Sequence, residues 1–199
     1  MLSTSRLVNC RAMTVRDAEA TRQRLINAAR AEFAEYGIAG ARVDRIAANA
    51  EANKAQIYHY FGSKDGLFDA VWSALVTQVT AETPMDVDDL PGYAARLADG
   101  YAQHPDISRL ITWQRLERGD DPPHAYAVDS TQSKADAIAK AQAQGRVSSR
   151  FDARVLLGLI IHLAAFWATS NPDVLAVMNT PGAKPRRQII HDAVATLVA

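Results

Sequence analysis

Three cations stand where an isolated helix disfavours them. Arg42, Lys54 and Lys64 fall at the starts of three successive predicted helices within the stretch Arg42–Trp72. A helix N-terminus carries partial positive charge, so a cation there forfeits roughly 0.3–1 kcal/mol relative to an acid. A phosphate backbone outside the chain is a natural source of compensation. Between these cations lie side chains suited to reading DNA. Gln pairs bidentately with adenine and a small Ala meets a thymine methyl, which makes Ala55 and Gln56 candidate base readers. Tyr58 and His59 can hydrogen-bond phosphates, and Arg22 and Arg24 can reach the backbone. Each residue also has a plainer reading. Gln56 completes a capping box with Asn53, Lys54 and Lys64 are solvated lysines, and Tyr60 closes a small core. The chemistry is binding rather than catalysis. HExxH, GxSxG, Walker and GxGxxG patterns are absent, and the five histidines show no zinc spacing. Asp88-Asp89 and Asp120-Asp121 read as solvated caps. No enzyme activity, cofactor or metal is expected.

The elements that must position these residues are helices. Arg22–Tyr36 has an apolar stripe at Leu25, Ile26, Ala29 and Phe33, closed by Gly37. Val43, Ile46, Ala47 and Ala50 make a second, short stripe. Ile57 and Phe61 make a third, on a helix that Asn53 caps. Phe68, Val71, Trp72, Leu75, Val76 and Val79 make a fourth and longer one, entered through Gly62-Ser63. Three short helices can share one small core while the fourth leads away, and a helix, short turn and helix is the geometry that lays the second helix in a major groove. The stretch 82–92 is the clearest break, with two prolines, four acids and a glycine. Helices are then predicted over Tyr93–Gln103, Asp106–Arg118, His124–Gln144, Asp152–Ser170 and Arg186–Val198. Residues 180–185 separate the last two. The domain reading is a disordered tail at 1–16, a helix-turn-helix domain at 17–63, a connecting helix at 64–81, and a helical domain at 82–199. Met13 is an alternative start.

Charge agrees with this division. The net charge of the 199 residues is zero, yet residues 1–64 hold ten basic and six acidic side chains. That asymmetry suits nucleic-acid contact by one end only. A single cysteine, Cys10, and no apolar leader or membrane-length span fit a cytoplasmic protein. Hydrophobic residues make up 48%, enough for a real core.

The segment Thr21–Leu75 resembles the DNA-binding domain of the tetracycline-repressor (TetR) family. The marks are AEFAEYG closing the first helix, RVDRIAANA as the second, NKAQIYHYF as the recognition helix and GSKDGLF opening the fourth. Two positions depart from the family pattern. Glu51 replaces the usual glycine where the turn wants a left-handed residue, at about 1–2 kcal/mol. Ala41-Arg42 replaces a hydroxyl cap. The resemblance implies an all-α fold: a three-helix helix-turn-helix domain followed by a helical dimerisation and ligand domain. It implies a regulator, most often a homodimeric repressor that a small molecule releases from a palindromic DNA operator. The implied mechanism is a ligand-favoured widening of the spacing between recognition helices.

The residues add some support. Asp152–Ser170 is apolar nearly all round, and the last helix carries two apolar rows. Leu156, Leu159, Ile160, Leu163, Ile190, Val194 and Leu197 are candidate dimer residues, unless both helices are simply core. Trp72, Tyr101, His104, Trp113, Tyr126, His162 and Trp167 are candidate ligand contacts, although aromatics at helical spacing are more often core. The alternatives are an activator, a regulator controlled by a protein partner, or a helical protein-interaction module.

Overall fold

The computed structural model describes residues 4–178 and 182–199. Every regular element among them is an α-helix: α1 Thr4–Gly40, α2 Val43–Asn49, α3 Lys54–Phe61, α4 Lys64–Glu82, α5 Leu90–Gln103, α6 Pro105–Glu117, α7 Ala125–Ala143, α8 Ala153–Ala164, α9 Phe166–Thr169, α10 Pro172–Val177 and α11 Ala183–Val198. The all-α expectation therefore holds. No described helix is long and apolar enough to cross a membrane.

The chain divides into two units. The first comprises residues 1–72 and 113–119; the second comprises 73–112 and 120–199. Two of the three boundaries fall inside helices, α4 after Trp72 and α6 after Thr112, and the third follows Gly119 in the turn after α6. The 82–92 break therefore did not mark the division; it lies within the second unit.

The first unit is built on the stripes foreseen from spacing. Leu25, Ala29 and Phe33 of α1, Ile46 of α2, Ile57 of α3, and Leu67 and Phe68 of α4 are fully buried. Phe33 and Phe68 meet edge to face with ring centroids 5.3 Å apart. Burying such side chains stabilises by about 1.5–3 kcal/mol each. Gly37 closes the first helical stretch of α1, as expected, with a non-helical φ of 74° and ψ of 178°, and a short helical piece resumes beyond it. A Cβ there would lie 2.5 Å from Glu117 Oε1 and 3.0 Å from Trp113 Cε3. Glycine is thus required for both conformation and space. Residues 4–16, expected as a disordered tail, are instead the start of α1. They contain neither proline nor glycine to stop the helix propagating. Residues 1–3 lie outside the described residues.

The second unit buries Leu90, Tyr93, Ala94 and Leu97 of α5 with Ala135, Ile138 and Ala141 of α7, Leu156, Leu157 and Ile160 of α8, and Ile190 and Val194 of α11. Three of its helices begin or break where the sequence suggested otherwise. α5 starts at Leu90 because Asp89 caps it, accepting from Gly92 N at 2.9 Å, and Pro91 fits a first helical turn. α11 starts at Ala183 without a side-chain cap; Pro185 sits in its first turn, where the missing N–H costs nothing. The single helix predicted over 152–170 is two, interrupted at Ala165. Nothing in the local contacts explains that interruption. The short α10 was not foreseen, although Asn171-Pro172-Asp173 spells its cap, first position and first-turn acid.

Candidate nucleic-acid interface

α2, its turn and α3 present the candidate DNA-contacting residues. The turn is closed by backbone bonds from Ala52 N to Ala47 O at 3.0 Å and from Glu51 N to Ala48 O at 3.1 Å. This pair is the Schellman arrangement, which needs a left-handed residue at its apex. Glu51 takes it at φ 50°, the one described non-glycine residue with positive φ. The turn thus survives the loss of glycine, as expected. α3 then opens on a capping box. Asn53 Oδ1 accepts from Ala55 N at 2.8 Å, and Gln56 Oε1 accepts from Asn53 N at 2.8 Å. On α3, Ile57 faces inward, fully buried, while Ala55, Tyr58 and His59 share the opposite, exposed face.

The Gln56 carbonyl oxygen is therefore already engaged. A bidentate grip on adenine needs both its amide oxygen and nitrogen. Base contact would open the capping box or use the nitrogen alone.

The three cations have different surroundings. Lys54 Nζ pairs with Asp44 at 2.9 Å, and this ion pair raises the lysine pKa. Asp44 lies in the first turn of α2, so one acid serves both its own helix dipole and the cation of the next helix. Lys64 Nζ donates to Ala39 O at 3.1 Å and Ala41 O at 3.4 Å, carbonyls at the end of α1. Ser63 caps α4 in the ordinary way, its hydroxyl accepting from Gly66 N at 2.9 Å. The compensation expected from outside the chain is thus partly internal for both lysines. Arg42 differs: its exposed guanidinium makes no cap hydrogen bond.

A buried carboxylate missed in the sequence organises this corner. Glu32 is 4% exposed. It accepts from Arg45 Nη2 at 2.6 Å and Nε at 2.8 Å, and from the Arg42 backbone N–H at 2.9 Å. Burial raises its pKa, but the Arg45 hydrogen bond, the Arg42 N–H and the charges of both arginines outweigh it, leaving the pKa below 4.5. Glu32 thus fixes the start of α2, where the hydroxyl cap is missing. The available signal was its place on the face of Leu25 and Ala29. Arg45 also covers the Tyr36 ring at 4.2 Å. Arg24 Nε donates to Ala50 O at 3.1 Å, and Arg22 lies 5.5 Å from the Phe61 ring, so both tie α1 to its neighbours.

Several C-terminal candidates sit elsewhere than expected. Trp113 belongs to the first unit, donating Nε1–H to Ala34 O at 3.3 Å. Glu117, one turn on, accepts from Ala39 N at 2.7 Å. Trp72 stacks on Phe68, also in the first unit. Tyr101, His104, Tyr126, His162 and Trp167 lie in the second unit. Tyr126 and His162 are exposed, and His162 Nδ1 pairs with Gly158 O. Leu156, Ile160, Ile190 and Val194 are core of a single chain, each at most 2% exposed. Leu159 is on the outside, with Leu163 and Leu197 half-buried.

Comparison with known proteins agrees with this geometry. Residues 25–71 match the family described as bacterial regulatory proteins, tetR family, and residues 89–195 match the tetracyclin repressor-like C-terminal domain. The HTH-type transcriptional repressor SCO4008 of Streptomyces coelicolor is 39% identical over 168 residues, 83% of this chain and 87% of that protein. The HTH-type transcriptional repressor NicS of Pseudomonas putida is 32% identical over 109 residues, 51% of each chain. The crystal structure of SCO4942 from Streptomyces coelicolor superposes with TM-score 0.79 at 39% identity, over 89% of this chain and 98% of that one. The chain belongs to the TetR family of DNA-binding transcriptional regulators.

Proposed function

We propose that the chain acts as a homodimeric repressor on a two-fold-symmetric operator, and that a small molecule held by the second unit releases it. The supporting observation is an apolar row on the outside of α8 and α11. Val155 is 54% exposed, Leu159 36% and Ile189 46%. Each is one position from a buried residue, namely Leu156, Ile160 and Ile190. A single chain leaves this row wet, and a second copy can cover it. The dimer face is therefore assigned to Val155, Leu159 and Ile189 rather than to the core residues beside them.

Two copies would offer two α3 helices to major grooves about 34 Å apart. Arg42, Lys54, Tyr58, His59 and Lys64 would grip phosphates. Ala55 would meet bases, while Gln56 would stay in its capping box. Lys54 and Lys64 would exchange Asp44 and the α1 carbonyls for phosphate oxygens. An effector favouring a wider spacing of the two α3 helices would release the operator by population shift. Trp167 supports an effector site in the second unit, because its buried Nε1–H has no hydrogen-bond partner among the described residues. Such a protein works where the chromosome is, in the cytoplasm.

The test is Leu159→Glu. Because Leu159 is exposed, the fold should survive while sedimentation shifts from dimer to monomer and operator affinity falls at least tenfold. A variant that stays dimeric would remove α8 from the interface.

A further inference from the structure

A half-buried lysine of the second unit has no acid to balance it. Lys134 lies on α7 next to Ala135, a core residue that is 3% exposed. Its Nζ donates to Ser130 Oγ at 2.9 Å, one turn back. Ser130 Oγ in turn lies 3.4 Å from Thr80 Oγ1 on α4. All three residues are half-buried and belong to the second unit. Among the described residues no carboxylate forms an ion pair with Lys134. Its sequence neighbours Asp129 and Asp136 are exposed, and Asp136 accepts from Gln132 at 2.7 Å. Burial lowers the Lys134 pKa, with no opposing charge acting to raise it.

Counting hydrogens shows what the cluster lacks. An ammonium has three donors and no acceptor, whereas each hydroxyl has one donor. One ammonium hydrogen goes to Ser130. The Ser130–Thr80 contact uses one hydroxyl hydrogen, whichever group donates. Two N–H groups and one O–H are left, together with a positive charge. These residues are half-buried, so water serves the remaining donors in the free protein and an incoming acceptor can take its place.

We infer that Lys134, Ser130 and Thr80 form a recognition site for the carboxylate, or an equivalent oxyanion, of an acidic effector. One oxyanion accepts every hydrogen left over and balances the charge. A neutral acceptor would satisfy the hydrogens but leave the charge alone. This assignment rests on the reading of the chain as an effector-released repressor, and gives that effector a chemical class: an organic acid.

The test uses matched pairs, octanoate with octanamide and benzoate with benzamide, on the full-length protein. Two readouts are taken, the melting temperature and release of a fluorescent operator. At least one carboxylate should raise the melting temperature and bind tenfold or more tightly than its amide. Lys134→Met should abolish that preference, and Lys134→Arg should retain it. Without any ligand, Lys134→Met should melt no lower than wild type, since it removes an uncompensated charge. Equal binding of acid and amide, a preference that survives in Lys134→Met, or no stabilisation by either acid would overturn the assignment. If a carboxylate binds through Lys134 but leaves the operator bound, the site stands and the effector reading fails. If an amide releases the operator as well as its acid does, the effector reading stands and the acid assignment fails.

Discussion

Replacing Glu51 by glycine should make the protein more stable while deleting a side chain that touches little. Glu51 sits at φ 50°, in the region where an L-residue's Cβ crowds its own carbonyl. That strain is worth about 1–2 kcal/mol. Glycine removes it but gains freedom in the unfolded chain, which costs back about 0.5–1 kcal/mol. The two Schellman hydrogen bonds at 3.0 and 3.1 Å are backbone bonds and should persist. The net expectation for Glu51→Gly is a gain of about 0.5–1 kcal/mol, or a rise of about 1–4 °C in melting temperature. Differential scanning calorimetry reads this directly. Glu51→Ala is the control: it deletes the carboxylate but keeps the Cβ and its strain, so it should not gain. A rise of equal size in Glu51→Ala would place the effect in the charge. A fall in Glu51→Gly would refute the strain argument.

Further outcomes follow from the same corner. Glu32→Gln should cost roughly 1.5–3 kcal/mol, because a buried acceptor of the Arg45 hydrogen bonds loses its charge. The folded pKa of Glu32 is below 4.5, so its contribution is present above that value and is lost as pH falls through the folded pKa; acid denaturation curves of wild type and Glu32→Gln should converge there. Gln56→Ala should lower stability by about 1 kcal/mol through the cap and leave the selected operator unchanged, with Gln56→Glu restoring the acceptor. A changed base preference would instead show that the amide turns to the DNA. Gly66→Ala should be severely destabilising, since the new Cβ would lie 2.1 Å from the Phe61 carbonyl oxygen; a wild-type melt would contradict it.

What the sequence showed was local. The Asn53–Gln56 box, the Ile57 stripe, the Ser63 cap and the left-handed demand at Glu51 all act within a few residues, and each appears in the structure. What it hid was tertiary. Lys54 finds Asp44 ten residues back, and Lys64 finds carbonyls at Ala39 and Ala41. Helix-terminus electrostatics alone cannot anticipate such partners. Trp113 docks on Ala34 across 79 positions, so an aromatic assigned to the effector region serves the DNA-binding unit. α8 failed for another reason. In a helix apolar on nearly every side, the 3.6 period does not say which row faces inward, and Leu156 and Ile160 went in while Val155 and Leu159 stayed out.

In the proposed function the first unit grips phosphates with Lys54 and Lys64, cations that have internal partners in the free chain. Operator affinity measured against salt concentration tests it most directly, comparing wild type with Lys64→Ala. Wild-type affinity should fall steeply with salt. Lys64→Ala should flatten the slope by about one unit for each phosphate left unneutralised, on all DNA sequences alike. An unchanged slope, with only a lower melting temperature, would mean that Lys64 never leaves the α1 carbonyls and that its role is structural.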